Sequence, residues 1–183
     1  PLAKVLAARA RYEESERLFR EALSAYEALF GESSPHIVET LSDYAWLLIL
    51  KAEYSRAEGM LHRGIEILKP LGEIGVLGLS RALNDLGIAR YHAADYAQAE
   101  QLFREALDLR RSHLPEAHPY IGISLNNLAS VLQAQGDYQA AEPFHREALT
   151  LRRQVLGDGH PDVANSLKNL GVALHQLQRW DEA

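Results

Sequence analysis

The stretch PYIGISLNNLASVLQAQGDYQAAEPFHREALTLRRQVLG, residues 119–157, decides the fold. Pro119 stands where a helix should begin, because its missing N–H is not needed in a first turn. Leu125, Leu128 and Leu132 then mark one face at the i, i+3, i+7 spacing of an amphipathic helix. Gly136-Asp137 interrupts, Gly for a left-handed or strained turn and Asp as an N-cap acceptor. A second helix is expected from about Tyr138, with Ala141, Phe144, Ala148, Leu149 and Val155 inward. It stops at Gly157, placed like a C-terminal cap. The segment 158–161 returns the chain to a further helix at Pro161. One unit is therefore a helical hairpin (helix A, turn, helix B) with a connector.

Outside this stretch the same unit recurs. An aromatic residue falls every 42 positions at Tyr12, Tyr54, Tyr96, Tyr138 and Trp180. Leu41, Leu83, Leu125 and Leu167 keep the same register, as do Ala57, Ala99, Ala141 and Ala183. Residues 83–124 and 125–166 share 18 identities over 42 ungapped positions, which only a repeat explains. A fixed period of this size marks a stacked array of identical supersecondary units. The expected organisation is a single array over 1–183: a partial repeat 1–31, repeats at about 35–72, 77–114 and 119–157, and a partial repeat 161–183. The chain starts without Met and reads as a piece of a longer protein.

Small residues recur where each hairpin must close: Ala57, Ala99 and Ala141 early in helix B, then Ala22, Gly64, Ala106 and Ala148. Anything larger would push the helices beyond their usual ~8–10 Å separation. Ala148→Leu is expected to cost roughly 1–3 kcal/mol by overpacking, and an unchanged melting temperature would contradict the placement. The pairs Glu16/Arg20, Glu100/Arg104 and Glu142/Arg146 recur at i, i+4 and read as a solvated outer face.

Composition sets further bounds. A chain 47% hydrophobic but only 8% aromatic, rich in Ala, Leu, Arg and Glu, has a helical profile. The net charge of −6 argues against a nucleic-acid partner, which calls for a basic footprint. No apolar run reaches the roughly 20 residues of a membrane span, so no membrane partner is expected. The absence of Cys removes disulfides and thiolate chemistry. A cytoplasmic location is the expectation.

The order Leu-x-x-Leu-Ala/Gly, Gly/Ala-Asp-Tyr, Ala-Glu-x-x-x-x-x-Ala-Leu resembles the tetratricopeptide repeat. The 42-residue period narrows the likeness. Leu125-Asn126-Asn127-Leu128-Ala129, Gly136-Asp137-Tyr138, Ala141-Glu142-Pro143 and Arg146-Glu147-Ala148-Leu149 resemble the repeats of kinesin light chains. So do Val155-Leu156-Gly157 and His160-Pro161-Asp162-Val163-Ala164. The likeness is strongest over 83–183, weaker over 41–82 and partial over 1–40. It implies an all-α, right-handed superhelical solenoid of antiparallel helix pairs, with helices A lining a concave groove that binds extended peptides or protein segments.

In that family, helix-A Asn side chains contact the ligand backbone, and an amide suits this because it offers donors and an acceptor together. The matching pair here is Asn126 and Asn127, with Asn84 beside Asp85 and Asn169 beside Lys168; Ser42 and Asp43 occupy the first complete repeat. Glu39, Trp46, Leu50, Arg81, Ile88, Tyr91, His92, Ile123, Ser130, Gln133, Val172, His175 and Gln176 are the other positions projected into the groove. The candidate peptide-binding set is Trp46, Arg81, Asn84, Asp85, Tyr91, Asn126, Asn127, Gln133, Lys168 and Asn169. Trp46 is either a binding anchor or core between helices. Mixed charge on this face departs from the more basic grooves that accept acidic tryptophan-containing peptides.

Catalytic and metal chemistry find no support in the sequence. His118-Pro119 and His160-Pro161 lie in repeat register at helix starts and read as connectors. His113 and His118 are separated by Pro115, which breaks the helical spacing of a zinc pair. Gly72, Gly75 and Gly78 lack the Lys-Ser/Thr of a phosphate cradle and read as a mobile connector. No enzyme, cofactor or metal is expected. The expected function is a non-catalytic interaction scaffold for a protein or peptide partner. The other reading is a spacer that self-associates through its terminal helices, because end repeats need capping.

Overall fold

The computed structural model describes residues 2–179; Trp180 and Ala183, which complete two of the periodic series, lie outside the described residues. The described chain is helical, with no strand. The helices are α1 (Leu2–Ala8), α2 (Tyr12–Phe30), α3 (Val38–Leu50), α4 (Tyr54–Leu68) and α5 (Val76–His92), then α6 (Tyr96–His113), α7 (Pro119–Ala134), α8 (Tyr138–Leu156) and α9 (Pro161–Gln176). They form two compact units, Pro1–Ala94 and Asp95–Ala183. In the first, α1 to α5 pack each against the next and α3 also meets α5. In the second, α6 to α9 pack successively and α7 also meets α9. The odd-numbered helices are A-type and the even-numbered ones B-type.

Helix starts are capped as the residue types dictate. Asp137 and Asp95 accept from the N–H groups of Ala140 and Gln98 at 2.9 and 3.3 Å. His118 and His160 cap α7 and α9 through Nδ1, which accepts from Tyr120 N–H at 3.2 Å and Asp162 N–H at 3.1 Å. That is the connector role in atomic terms. Each A-to-B turn is closed by a residue in the left-handed region: Ala10, Ala52, Ala94, Gly136 and Gln178, with φ of 58°, 59°, 61°, 87° and 58°. The bonds are those of a Schellman motif. Glu53 N–H reaches Leu48 O at 2.8 Å and Ala52 N–H reaches Ile49 O at 2.9 Å, as Asp137 and Gly136 do onto Leu132 and Gln133. Sequence reading singled out only Gly136, because Ala seldom announces a left-handed turn.

The core follows the small-residue register. Ala57, Ala99, Ala106, Ala141 and Ala148 are fully buried, whereas Ala22 is half-buried. Gly64 is the exception worth changing. A Cβ added there meets only Val38 Cγ1, at an ordinary 3.7 Å. Gly64→Ala is therefore expected to raise stability by roughly 0.5–1 kcal/mol, read as a higher urea midpoint at unchanged slope; a lower midpoint would contradict it.

Several expectations are corrected. Phe144 and Val155 are only half-buried; His145 and Arg152 take the inward positions of α8 instead. Leu41, Leu83 and Leu125 are buried but Leu167 is 44% exposed. On α9 the buried stripe is Val163, Ser166, Leu170, Ala173 and Leu174, and Leu167 falls outside it. The Gly72–Gly78 connector is built rather than loose: a 3-10 helix, Lys69–Gly75, occupies it. Gly75 packs so closely that a Cβ would stand 2.6 Å from Leu68 O.

The Glu/Arg pairs are not merely an outer face. The arginines are exposed, but Glu16 and Glu142 turn inward to tie one hairpin to the next. Glu142 accepts from Arg146 Nε and from Arg179 Nη1, both at 2.6 Å. Glu58, in the same register, pairs with Arg90 at 3.0 Å. Glu16 is buried outright, at 1% exposure. Tyr44 Oη and Arg56 Nη2 donate to its Oε1 at 3.1 and 2.8 Å, and Arg20 and Lys51 complete the cluster. Burial pushes this carboxyl up, but the hydrogen bonds from Lys51, Arg56 and Tyr44 override it and hold it down to about 2.

Candidate functional site

In the first unit, α1, α3 and α5, with Phe19 of α2, present a pocket of about 380 Å³ lined by Lys4, Phe19, Asp43, Trp46, Leu50 and Arg81, with Ala7, Leu47 and Asp85. Trp46 is 43% and Leu50 44% exposed, so Trp46 lines this pocket from solvent and is not core. Its exposure follows from α3 itself: Leu41, Ala45 and Leu48 form the buried stripe, and Trp46 falls outside it.

Charged side chains cross the same face in alternation. Lys4 Nζ lies 3.8 Å from Glu39 and 2.7 Å from Asp43. Arg81 lies 2.9 Å from Asp43 and 3.7 Å from Asp85. Trp46, Arg81 and Asp85 are thus brought together. Asn84 is not presented with them: it is buried, and its Nδ2 donates to Asp85 Oδ1 at 3.3 Å. Tyr91 is half-buried and meets the His92 ring edge-on at 5.6 Å, while His92 stacks on Tyr54 at 6.0 Å.

The second unit carries amides where the first carries charge. Asn169 Nδ2 donates to Asn126 Oδ1 at 3.1 Å, joining α9 to α7. Gln133 Nε2 donates to the Asn169 carbonyl at 3.2 Å, and its Oε1 lies 2.9 Å from His145 Nε2. Asn127 is half-buried and Lys168 exposed. Ile123 and Val172, 36% and 48% exposed, supply apolar surface on α7 and α9.

Sequence reasoning missed His145. It is fully buried, Nδ1 has no hydrogen-bond partner, and burial with the Arg152 charge pushes the imidazole down to about 4. The signal was available. Phe19, Leu61 and Phe103 hold the same register position, so a polar ring there departs from the pattern.

It also missed two clamps. Arg110 Nη1 donates to Tyr120 O at 2.9 Å and to Ser124 Oγ at 2.7 Å. Arg152 repeats this on Asp162 O at 3.1 Å and Ser166 Oγ at 2.7 Å. Among the described residues no group of three metal-ligating side chains occurs, and no helix is long and apolar enough to cross a membrane.

Hairpins repeated in register, with a polar and half-apolar A-helix face, define a helical-repeat scaffold. One model of the tetratricopeptide repeat matches residues 1–69 and 120–183, and a second model of that repeat matches 79–120. The chain belongs to the tetratricopeptide repeat family. Among solved structures, BtubC (BKLC) from P. vanneervenii is similar, with a TM-score of 0.85 at 21% identity over 100% of this chain and 72% of that one. The nearly identical TPR-like repeats of a candidate kinesin light chain from Podosopora anserina give 0.81 at 17%, over 99% and 86%. The apo form of RapI gives 0.78 at 15%, over 94% and 46%. These likenesses show the fold, an all-α helical-repeat solenoid of the kinesin-light-chain-like type. No curated protein matches the chain. Repeats of this family are generally non-catalytic protein–protein interaction scaffolds, and a protein partner is the class of ligand they take.

Proposed function

We propose that this chain holds an extended peptide or partner segment along the faces of its A helices. The observation that carries the reading is the pocket at Trp46: half-exposed apolar side chains and fixed charges gathered on α1, α3 and α5. Aromatic anchors beside oriented polar groups are the usual composition of an interaction hot spot. The amides of Asn126, Asn127 and Asn169 supply sequence-tolerant contacts to a peptide backbone in the second unit. The expected test is Asn126→Ala with Asn127→Ala, followed by pull-down from the source cell. Helix content should persist, since Ala is the better helix former, while partner affinity falls about tenfold. Full retention of every partner by the folded variant would remove those amides from recognition. A cytoplasmic location is part of the proposal, and cell fractionation reads it.

A second reading, self-association through a terminal helix, rests on Leu167 and Val172, which α9 exposes. Leu170 and Leu174 are unsuited to test it, because they are buried with Leu149 and Val163. Leu167→Glu is the informative change: light scattering should show a dimer in the parent and a monomer in the variant. A concentration-independent monomer in both would dismiss this reading.

A further inference from the structure

We infer that the α1/α3/α5 face of the first unit selects peptides carrying an apolar side chain and a Lys or Arg about three residues apart. This rests on the peptide-holding function proposed above and adds its ligand chemistry. The charges on this face form a line: Glu39, Lys4, Asp43, Arg81, Asp85. Two cations are strung between three carboxylates, so the line ends in an acid on both sides. A ligand cation balances the set, whereas a ligand carboxylate adds a fourth negative charge to it. The side chain of Asp43 is 11% exposed and engaged by both cations, which leaves Glu39, 77% exposed, as the accessible end.

The apolar half of the specificity lies on the same helix. Trp46 and Leu50 rim the pocket, which is floored by Phe19 and Leu47 and at about 380 Å³ has room for a large apolar side chain. Glu39 and Trp46 are seven residues apart on α3, two helical turns, or about 10 Å along its axis. An extended peptide covers that distance in about three residues. The selected motif is therefore an aromatic or aliphatic residue and a Lys or Arg at i and i+3, in either order.

The experiment is selection of a phage-displayed random 12-residue library on the full chain at low salt, where exposed charge is least screened. A consensus with an apolar and a basic residue three apart is expected. The corresponding synthetic peptide should bind Trp46→Ala at least tenfold more weakly and Glu39→Lys two- to fivefold more weakly than the parent. Both side chains are solvent-exposed, and circular dichroism checks that each variant stays helical. Leu50→Gln provides a second lesion of the pocket with the same expectation as Trp46→Ala. An acidic or uncharged consensus, no enrichment, or undiminished binding by both pocket variants would overturn the inference. None of these outcomes decides the Asn126/Asn127 experiment, which probes the other unit. Loss of partner there, with failure here, keeps the scaffold and removes this specificity.

Discussion

Arg152→Ala is expected to destabilise the second unit by about 2–4 kcal/mol, although it removes a charge that burial disfavours. Arg152 is 9% exposed, and its guanidinium bonds the Asp162 carbonyl and Ser166 Oγ. Truncation strands the hydroxyl in the interior and leaves a void beside Gly122, against which the Arg152 stem packs. An unpaired buried polar group costs about 1–3 kcal/mol by itself. The chain already contains the apolar solution to the same problem. At the equivalent positions one repeat earlier stand Arg110 and Ser124, joined at 2.7 Å. Two repeats earlier stand Leu68 and Ala82, 7% and 0% exposed. Arg152→Leu together with Ser166→Ala should therefore return to within about 1 kcal/mol of the parent. Urea denaturation followed by circular dichroism reads both. A double variant as damaged as the single would show that the clamp does more than satisfy its own polar atoms.

The second large effect is expected at Glu16. Glu16→Ala removes the carboxylate that gathers Lys51, Arg56 and Tyr44 from neighbouring helices. The expected loss is about 2–4 kcal/mol, below that of a wholly buried pair because Arg20 and Arg56 remain substantially in solvent. Glu16 also sets a pH dependence. Its carboxyl is lowered from 4.5 to about 2 in the folded chain, so its stabilisation is complete above about pH 4.5 and is lost as pH falls towards 2. His145 acts in a higher window. Its imidazole is lowered from 6.5 to about 4, so stability declines as pH falls from 6.5 to 4, where the unfolded chain binds the proton and the folded chain does not. Glu16→Gln should flatten the stability profile below pH 4.5 and leave the upper window unchanged. A profile unaltered below 4.5 would mean that the carboxylate is not held as its contacts imply.

Hairpin architecture was legible because it rests on periodic features: the 42-residue spacing, the Ala series, the His-Pro connectors at helix starts and the Asp cap at the hairpin turn. What escaped was whatever replaced an apolar residue by a polar one in the same register. Glu16 has the i, i+4 Arg of a surface pair, and nothing local distinguishes it from Glu100. Only the arrival of Tyr44 from α3, Lys51 from the turn after it and Arg56 from α4 makes its burial tolerable. His145 and Arg152 escape for a similar reason: each lies within three residues of a more hydrophobic side chain, Phe144 or Val155, and only the 42-residue register aligns His145 with Phe103. On the candidate site, the repeat resemblance projects Trp46, Arg81 and Asp85 among the groove positions, and the three line one pocket. The same resemblance could not show that Asn84 is buried while Asn126, one repeat later, is only half-buried, because that depends on how closely neighbouring helices approach.

The proposal that A helices hold the partner is tested most directly by hydroxyl-radical footprinting of the chain with and without a partner recovered by pull-down. Protection is expected at Trp46, Leu50 and Ile123 on α3 and α7, with α6 and α8 unchanged. Protection confined to the outward residues of α6 and α8, with Trp46 and Ile123 still reactive, would contradict it.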